Sequence, residues 1–251
     1  MFGKISELNF KLFYKKKPYI GRYLFSYQWG NNNKKRAFEK LLKKQLDNNK
    51  VSYLEIGSYA GGSLLTACKL FENFEIQYNA YAIDLHDKIY NKDDIGSSKF
   101  YEEIENYSTS KKIKKLFKHN INTSKYNIKY FQTDIDGFIA EIDLKKIDKI
   151  NIFYIDAGHM YHDVLNDIKK CKKIALIQET KNYLIFGDDY GLPYKTVKDE
   201  YDETYLFKDT IRSKITRSTF HPGVTKAVHD ELGDVKHDSG IWYKYINTKK
   251  E

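Results

Sequence analysis

The chain has 251 residues, 41% of them hydrophobic, and a formal net charge of +9. This length suits a single α/β domain with a large core, and the composition excludes global disorder. Its two cysteines, Cys68 and Cys171, lie far apart, which excludes a disulfide framework and a cysteine-ligated zinc site and fits a reducing cytoplasm.

Residues 1–33 are aromatic and basic with weak periodicity, and form an extension expected to act as a lid or a homodimer contact. The domain proper is expected over 34–251. No window approaches the roughly 18 apolar residues of a membrane span, and the N-terminus lacks the apolar core of a signal peptide, so a cytoplasmic protein without a membrane partner is expected. Residues 34–48 read as an amphipathic helix with Phe38, Leu41, Leu42 and Leu46 on one face. An alternation follows: strand 51–57, helix 63–74, strand 80–85, a charged and mostly helical region from 98 to 121, strand 127–134, short helix 138–142, strand 149–156, helix 160–174 and strand 182–190. A polar insertion occupies 191–220, and a helix over 221–232, with Pro222 in its first turn, leads to a last strand at 240–246. Strands that are apolar along their whole length and alternate with helices indicate a parallel sheet covered on both faces. The lysines are interspersed with acids, as in Lys169, Lys170, Lys172 and Lys173, and read mainly as solvated helix faces. The anionic partner this charge allows is a phosphorylated or nucleotide-linked small molecule.

In such sheets ligands bind outside the carboxyl ends of the strands. The first strand ends in LEIGSYAGGSLL, where Gly57, Gly61 and Gly62 leave room for a ligand to approach the backbone and Glu55 adds an acceptor. The second strand ends at Asp84, an acid suited to the two hydroxyls of a ribose. The strand FYID ends at Asp156, and NYLIFGDDY ends in Asp188 and Asp189. One intervening helix places these acids at one rim, where clustered carboxylates require protonation or a cation between them. Oxygen-only ligands favour Mg²⁺ or Mn²⁺. His159 would face the same rim with a side chain suited to taking a proton near neutral pH. Asp156 could equally cap the helix that follows, and Asp134 could cap the helix at FIAEI.

The pattern E-x-G-x-x-x-G-G-S over 55–63 resembles the first motif of class I methyltransferases that use S-adenosylmethionine (SAM). That resemblance implies that Glu55, Gly57, Ser58, Gly61 and Ser63 line the methionine and ribose region, that Asp84 holds the ribose, and that Thr133 and Asp134 lie near the adenine. Asp156 would border the same cofactor. The D-x-x-H ending of one strand and the D-D-Y ending of the next are similar to the metal-dependent sugar O-methyltransferases, including the macrocin and mycinamicin O-methyltransferases and the cephalosporin-hydroxylase-like proteins. The likeness runs from about residue 50 to 246 and departs from the family at Ala157-Gly158, in the long insertion and in residues 1–33. It implies one Rossmann-like domain with a mostly parallel seven-stranded sheet, metal ligands Asp156, Asp188 and Asp189, and His159 as base. The implied substrate is a sugar or nucleotide-sugar, and Tyr190, His221 and Trp29 are candidate acceptor contacts. An RNA methyltransferase would carry [DNS]-P-P-[YF] where Asp156-Ala157-Gly158-His159 stands, so nucleic acid is not the expected partner. A non-catalytic SAM-fold subunit is the third reading, and retention of the apparent ligands counts against it.

Overall fold

The structure is a computed structural model that describes residues 13–19, 32–45, 50–86, 112–198, 204–205 and 208–248. Its elements in chain order begin with α1 (Asn32–Lys43), β1 (Lys50–Ile56), α2 (Gly62–Asn73), β2 (Gln77–Ile83), α3 (Lys112–Ser124) and β3 (Ile128–Phe131). They continue with α4 (Ile135–Glu141), β4 (Ile152–Ile155), α5 (Tyr161–Ile177), β5 (Asn182–Gly187) and the single turn α6 (Tyr194–Val197). A two-stranded hairpin, β6 (Ile211–Arg212) and β7 (Thr219–Phe220), precedes α7 (Pro222–Leu232), β8 (Lys236–Asp238) and β9 (Ile241–Asn247).

Seven strands form one sheet in the order β3-β2-β1-β4-β5-β9-β8. The first five are parallel, and β9 and β8 join antiparallel. The order reverses between β1 and β4, and that crevice is where doubly wound sheets hold ligands. Strands β1, β4 and β5 are buried almost throughout, as strands covered on both faces must be. One face packs against α4, α5 and α7 through Leu54, Tyr81, Phe138, Phe153, Ile168 and Trp242. The other packs against α1, α2 and α3 through Phe38, Leu42, Tyr53, Phe71, Phe117 and Phe186.

The register brings the strand ends into step. Ile56 pairs with Ile83 and Ile155, and Ile155 pairs with Gly187. Asp84, Asp156 and Asp188 therefore each follow a strand at the same edge. Gly187 allows β5 to run this close: a Cβ there would stand 2.6 Å from Ile155 O and from the Trp242 ring. No alternative residue fits that space without moving backbone.

Two parts of the architecture go beyond the apolar pattern. Strand β8 is exposed at every position, so nothing hydrophobic announces it. The insertion is not a featureless loop; Leu192, Val197, Ile211 and Phe220 form a small core of their own, with Tyr205 beside it. Residues 98–107, expected to be helical, and Trp29 lie outside the described residues. No helix among the described residues is long and apolar enough to cross a membrane.

Helix α1 is fixed to the sheet by Phe38, fully buried with its ring 5.2 Å from Tyr154 and 5.5 Å from Phe186. The Phe38→Ala variant is expected to lose about 3–5 kcal/mol of unfolding free energy in denaturant titrations. An unchanged midpoint would show that α1 is not part of the cooperative core.

Candidate active site

The glycine turn after β1 is shaped by left-handed backbone. Gly57 has φ +83° and Gly61 +86°. At Gly57 a Cβ would also lie 2.2 Å from Asp156 O, so the β1 turn and the β4 end touch backbone to backbone. Ser58 and Ala60 are buried in this turn. The carboxylate of Asp84 reaches across from β2, accepting Tyr59 N–H at Oδ2 and His86 N–H at Oδ1, both at 2.7 Å. His86 Nε2 lies 2.7 Å from Tyr59 O, a pure acceptor, so Nε2 carries the proton. Its Nδ1 then accepts from Tyr130 Oη–H at 2.8 Å. His86, which no motif singled out, thus ties the β2 end to the glycine turn.

Glu55 is fully buried, with Oε2 accepting from Tyr53 at 2.6 Å and Oε1 from Ser63 at 2.9 Å. Burial raises its pKa to about 7 against the pull of those two hydroxyls. Asp134 caps α4, accepting Gly137 N–H at 2.8 Å, and Thr133 lies beside it. From the extension, Tyr19 packs on Ala60 and Leu116, and its N–H donates to Asn120, which in turn donates to Ala60 O. Part of the extension therefore covers the back of the glycine turn.

Along the rim, one oxygen each from Asp156, Asp188 and Asp189 falls within 4.8 Å of the others. Asp156 does not cap α5; the N-cap position is Met160, and Asp156 accepts instead from Tyr154 Oη–H at 3.2 Å. Burial, then repulsion from Asp188 and Asp189, pushes its pKa well above the usual carboxylate range. Asp188 is raised to about 6 by burial and by Asp189, with Lys34 opposing. Asp189 adopts φ +62°, and while Lys34 reaches both neighbouring acids, only Asp189 also meets His159. Asp188 Oδ1 meets Lys34 Nζ at 2.6 Å, and Asp189 Oδ2 meets His159 Nε2 at 3.0 Å. Burial opposes ionisation of Asp189, but His159 and Lys34 hold its pKa well below the usual range. Lys34, like His86, is a residue that no motif singled out. Its signal was only one lysine among many, at the start of an amphipathic helix.

A second group adjoins this one. His159, His221 and Asp189 each offer a ligand atom within 4.8 Å of the others, and the two imidazole centroids are 4.1 Å apart. Asp209, from the insertion, lies within hydrogen-bond distance of both rings. Its Oδ1 is 2.9 Å from His159 Nδ1, and its backbone oxygen is 2.8 Å from His221 Nδ1. Tyr190, expected as an acceptor contact, is 6% exposed and packs into the core with its ring 5.3 Å from His237. Its backbone N–H is drawn inward to Gly240 O, which turns the side chain away from the rim.

The sheet order and the glycine turn at its switch point are those of a doubly wound α/β fold, and sequence comparison narrows its class. A family model described as "Methyltransferase domain" matches residues 54–190, more than half of the chain. The chain belongs to that family. Among curated proteins none matches it. Two similar solved structures are the O-methyltransferase NovP, at TM-score 0.52 and 11% identity over 86% of this chain and 80% of that one, and a putative caffeoyl-CoA O-methyltransferase from Staphylococcus aureus, at TM-score 0.50 and 13% identity over 98% and 90%. At such identities the likeness is one of fold.

Glu55 supplies a pH test of the turn. Its folded pKa of about 7 stands above the ordinary 4.5, so the native state holds a proton that the unfolded chain has released. Stability from this group is present below about pH 4.5 and falls as pH rises through 7, by about 3 kcal/mol in all. Unfolding free energies measured from pH 4 to 8 should fall less steeply in Glu55→Gln than in the parent protein. Parallel curves would mean that Glu55 is ionised in the fold.

Proposed function

We propose that this methyltransferase uses SAM and a divalent cation to methylate a hydroxyl of a sugar, in the form of a nucleotide-linked sugar or glycan precursor such as those that feed surface polysaccharides. The observation that carries this reading is the meeting at one rim of the glycine turn with Asp156, Asp188, Asp189 and His159.

The turn fits a SAM-sized donor. Its two left-handed glycines expose backbone, and Asp84 stands at the next strand end with a lone pair left on each oxygen after its two backbone bonds. The acids fit a hard cation: among the described residues three partly exposed carboxylates gather beside one ammonium, Lys34, and supply only oxygen donors. Asp156, Asp188 and Asp189 would hold the ion. A bound Mg²⁺ or Mn²⁺ would lower the pKa of an acceptor oxygen and fix its position.

The chain's own residues supply the rest. His159 Nε2 faces the carboxylate rim and takes the acceptor proton, which a sugar hydroxyl must lose before it becomes a useful nucleophile. Close contact between the β1 turn and Asp156 keeps donor and acceptor sites adjacent. His221, beside His159, and the aromatic region around Trp29 are the acceptor-side candidates, with residues 1–33 as a lid or dimer contact. That both similar solved structures are titled O-methyltransferases supports oxygen as the acceptor atom.

Methyl transfer from labelled SAM should be measured against a panel of nucleoside diphosphate sugars, with Mg²⁺, with Mn²⁺ and with EDTA. Transfer to at least one sugar, lost in EDTA, is the expected result. Transfer to none of them under any metal condition would overturn the sugar assignment. His159→Ala should lower kcat by roughly 10²–10⁴-fold. Asp188→Asn should raise the metal concentration needed for half-maximal rate, and an unchanged requirement would remove Asp188 from the ligand set.

A further inference from the structure

The polar insertion carries a residue whose placement has a chemical consequence. Strands β6 and β7 form a short hairpin, with Ile211 paired to Phe220 and Arg212 to Thr219. Asp209 lies two residues before β6 and His221 immediately after β7, so the hairpin brings the two together at its open end. Its position is set by packing. Ile211 and Phe220 sit in the small core with Leu192 and Val197, and a Cβ on Gly191 would fall 2.4 Å from Phe220 Cβ. Thr225, one turn into α7, donates to Leu192 O at 3.0 Å and locks the insertion to the helix that begins beside His159. Gly223 in that first turn would place a Cβ only 2.5 Å from His159 O.

Held this way, Asp209 is 5% exposed, and its carboxylate faces imidazoles rather than water. Oδ1 lies 2.9 Å from His159 Nδ1 and 3.3 Å from His221 Nδ1. The backbone oxygen of Asp209 lies 2.8 Å from His221 Nδ1 and can only accept, so that nitrogen carries a proton. His159 is held by a carboxylate at each ring nitrogen, Asp209 at Nδ1 and Asp189 at Nε2, which fixes the plane and direction of the ring. The opposite nitrogen, Nε2, is the one turned to Asp189 and the rim. The two ring nitrogens of His159 are therefore divided between a partner off the rim and the site of chemistry.

We propose that Asp209 is a positioning residue that fixes the ring orientation of His159, holding Nδ1 off the rim so that Nε2 is the nitrogen presented to the acceptor hydroxyl. This rests on His159 being the base. It assigns the insertion a catalytic purpose: the insertion supplies the second half of a His–Asp pair whose first half stands at the end of β4. No covalent step is added, since the proton passes from acceptor oxygen to Nε2 and Asp209 remains a carboxylate throughout. Orienting acids of this kind act on turnover rather than on binding, because they change how the base is aimed and not the contacts to substrate.

The first test needs no substrate. In proton and nitrogen NMR of the full chain, His159 should show a low-field Nδ1–H resonance, identified by its absence in His159→Gln. It should vanish in Asp209→Ala and move upfield in Asp209→Asn. The His221 Nδ1–H, bonded to the Asp209 backbone, should persist in both variants and report that the hairpin is intact. A His159 Nδ1–H resonance unchanged in Asp209→Ala would overturn the proposal.

The second test uses the acceptor found in the nucleoside diphosphate sugar panel. Asp209→Asn should lower kcat by roughly 10²-fold with KM for SAM unchanged, and Asp209→Glu should recover part of the loss. The double variant with His159→Ala should be no slower than His159→Ala alone, because one residue acts through the other. Additive losses would overturn the assignment. If His159→Ala is slow and Asp209→Asn is not, Asp209 alone is wrong. If His159→Ala keeps full kcat, the base reading fails, and Asp209 loses its role with it.

Discussion

Three carboxylates crowded side by side at the sheet rim, each only partly exposed, are the constraint around which this molecule is arranged. Their nearest oxygens lie within 4.8 Å of one another, a separation at which two unit charges repel by about 3–4 kcal/mol even at an effective dielectric near 20. A hydrophobic core would not tolerate that arrangement without compensation. The fold brings compensation from several directions: Lys34 from α1, His159 from the β4–α5 turn and Tyr154 from within β4. Even so, Asp156 and Asp188 remain displaced toward the protonated form.

The scaffold explains why the compensation can be exact in place. Parallel strands in register deliver Asp84, Asp156 and Asp188 at one level, and glycines at 57 and 187 let neighbouring segments approach at backbone distance. Helix α1 holds Lys34 over the rim because Phe38, one turn on, is clamped between Tyr154 and Phe186. The insertion contributes through its own small core rather than through the main one. The groups at the rim are thus carried by different layers that meet near the β1–β4 crevice.

Much of this was legible in the sequence. Unbroken apolar strands need two covering layers, so VSYLEI, NIFYI and NYLIF announce a parallel sheet wherever they occur with helices between them. Polar residues at the ends of such strands announce the rim, and the glycine turn, Asp156, His159, Asp188 and Asp189 were all found on that ground. Strand β8 was not legible, because an exposed edge strand of Lys236, His237 and Asp238 has no buried face to leave a pattern. Nor was Tyr190: its place beside two acids looked like the rim, but β5 ends at Gly187 and the left-handed turn at Asp189 breaks the strand pattern, and its side chain lies in the core.

By itself the sequence determined the layer architecture, the chain order of the sheet's parallel strands and the set of groups at their carboxyl ends, because burial periodicity and the rule for ligand sites are both local to each strand and its turn. Only the tertiary structure decided which distant groups answer those charges. Lys34 reaches Asp188 across 154 positions of chain, and Asp209 reaches His159 across 50, each through packing of elements whose sequence says only that they are amphipathic or polar. Electrostatic partners are selected by distance in space, and distance in space is set by the core.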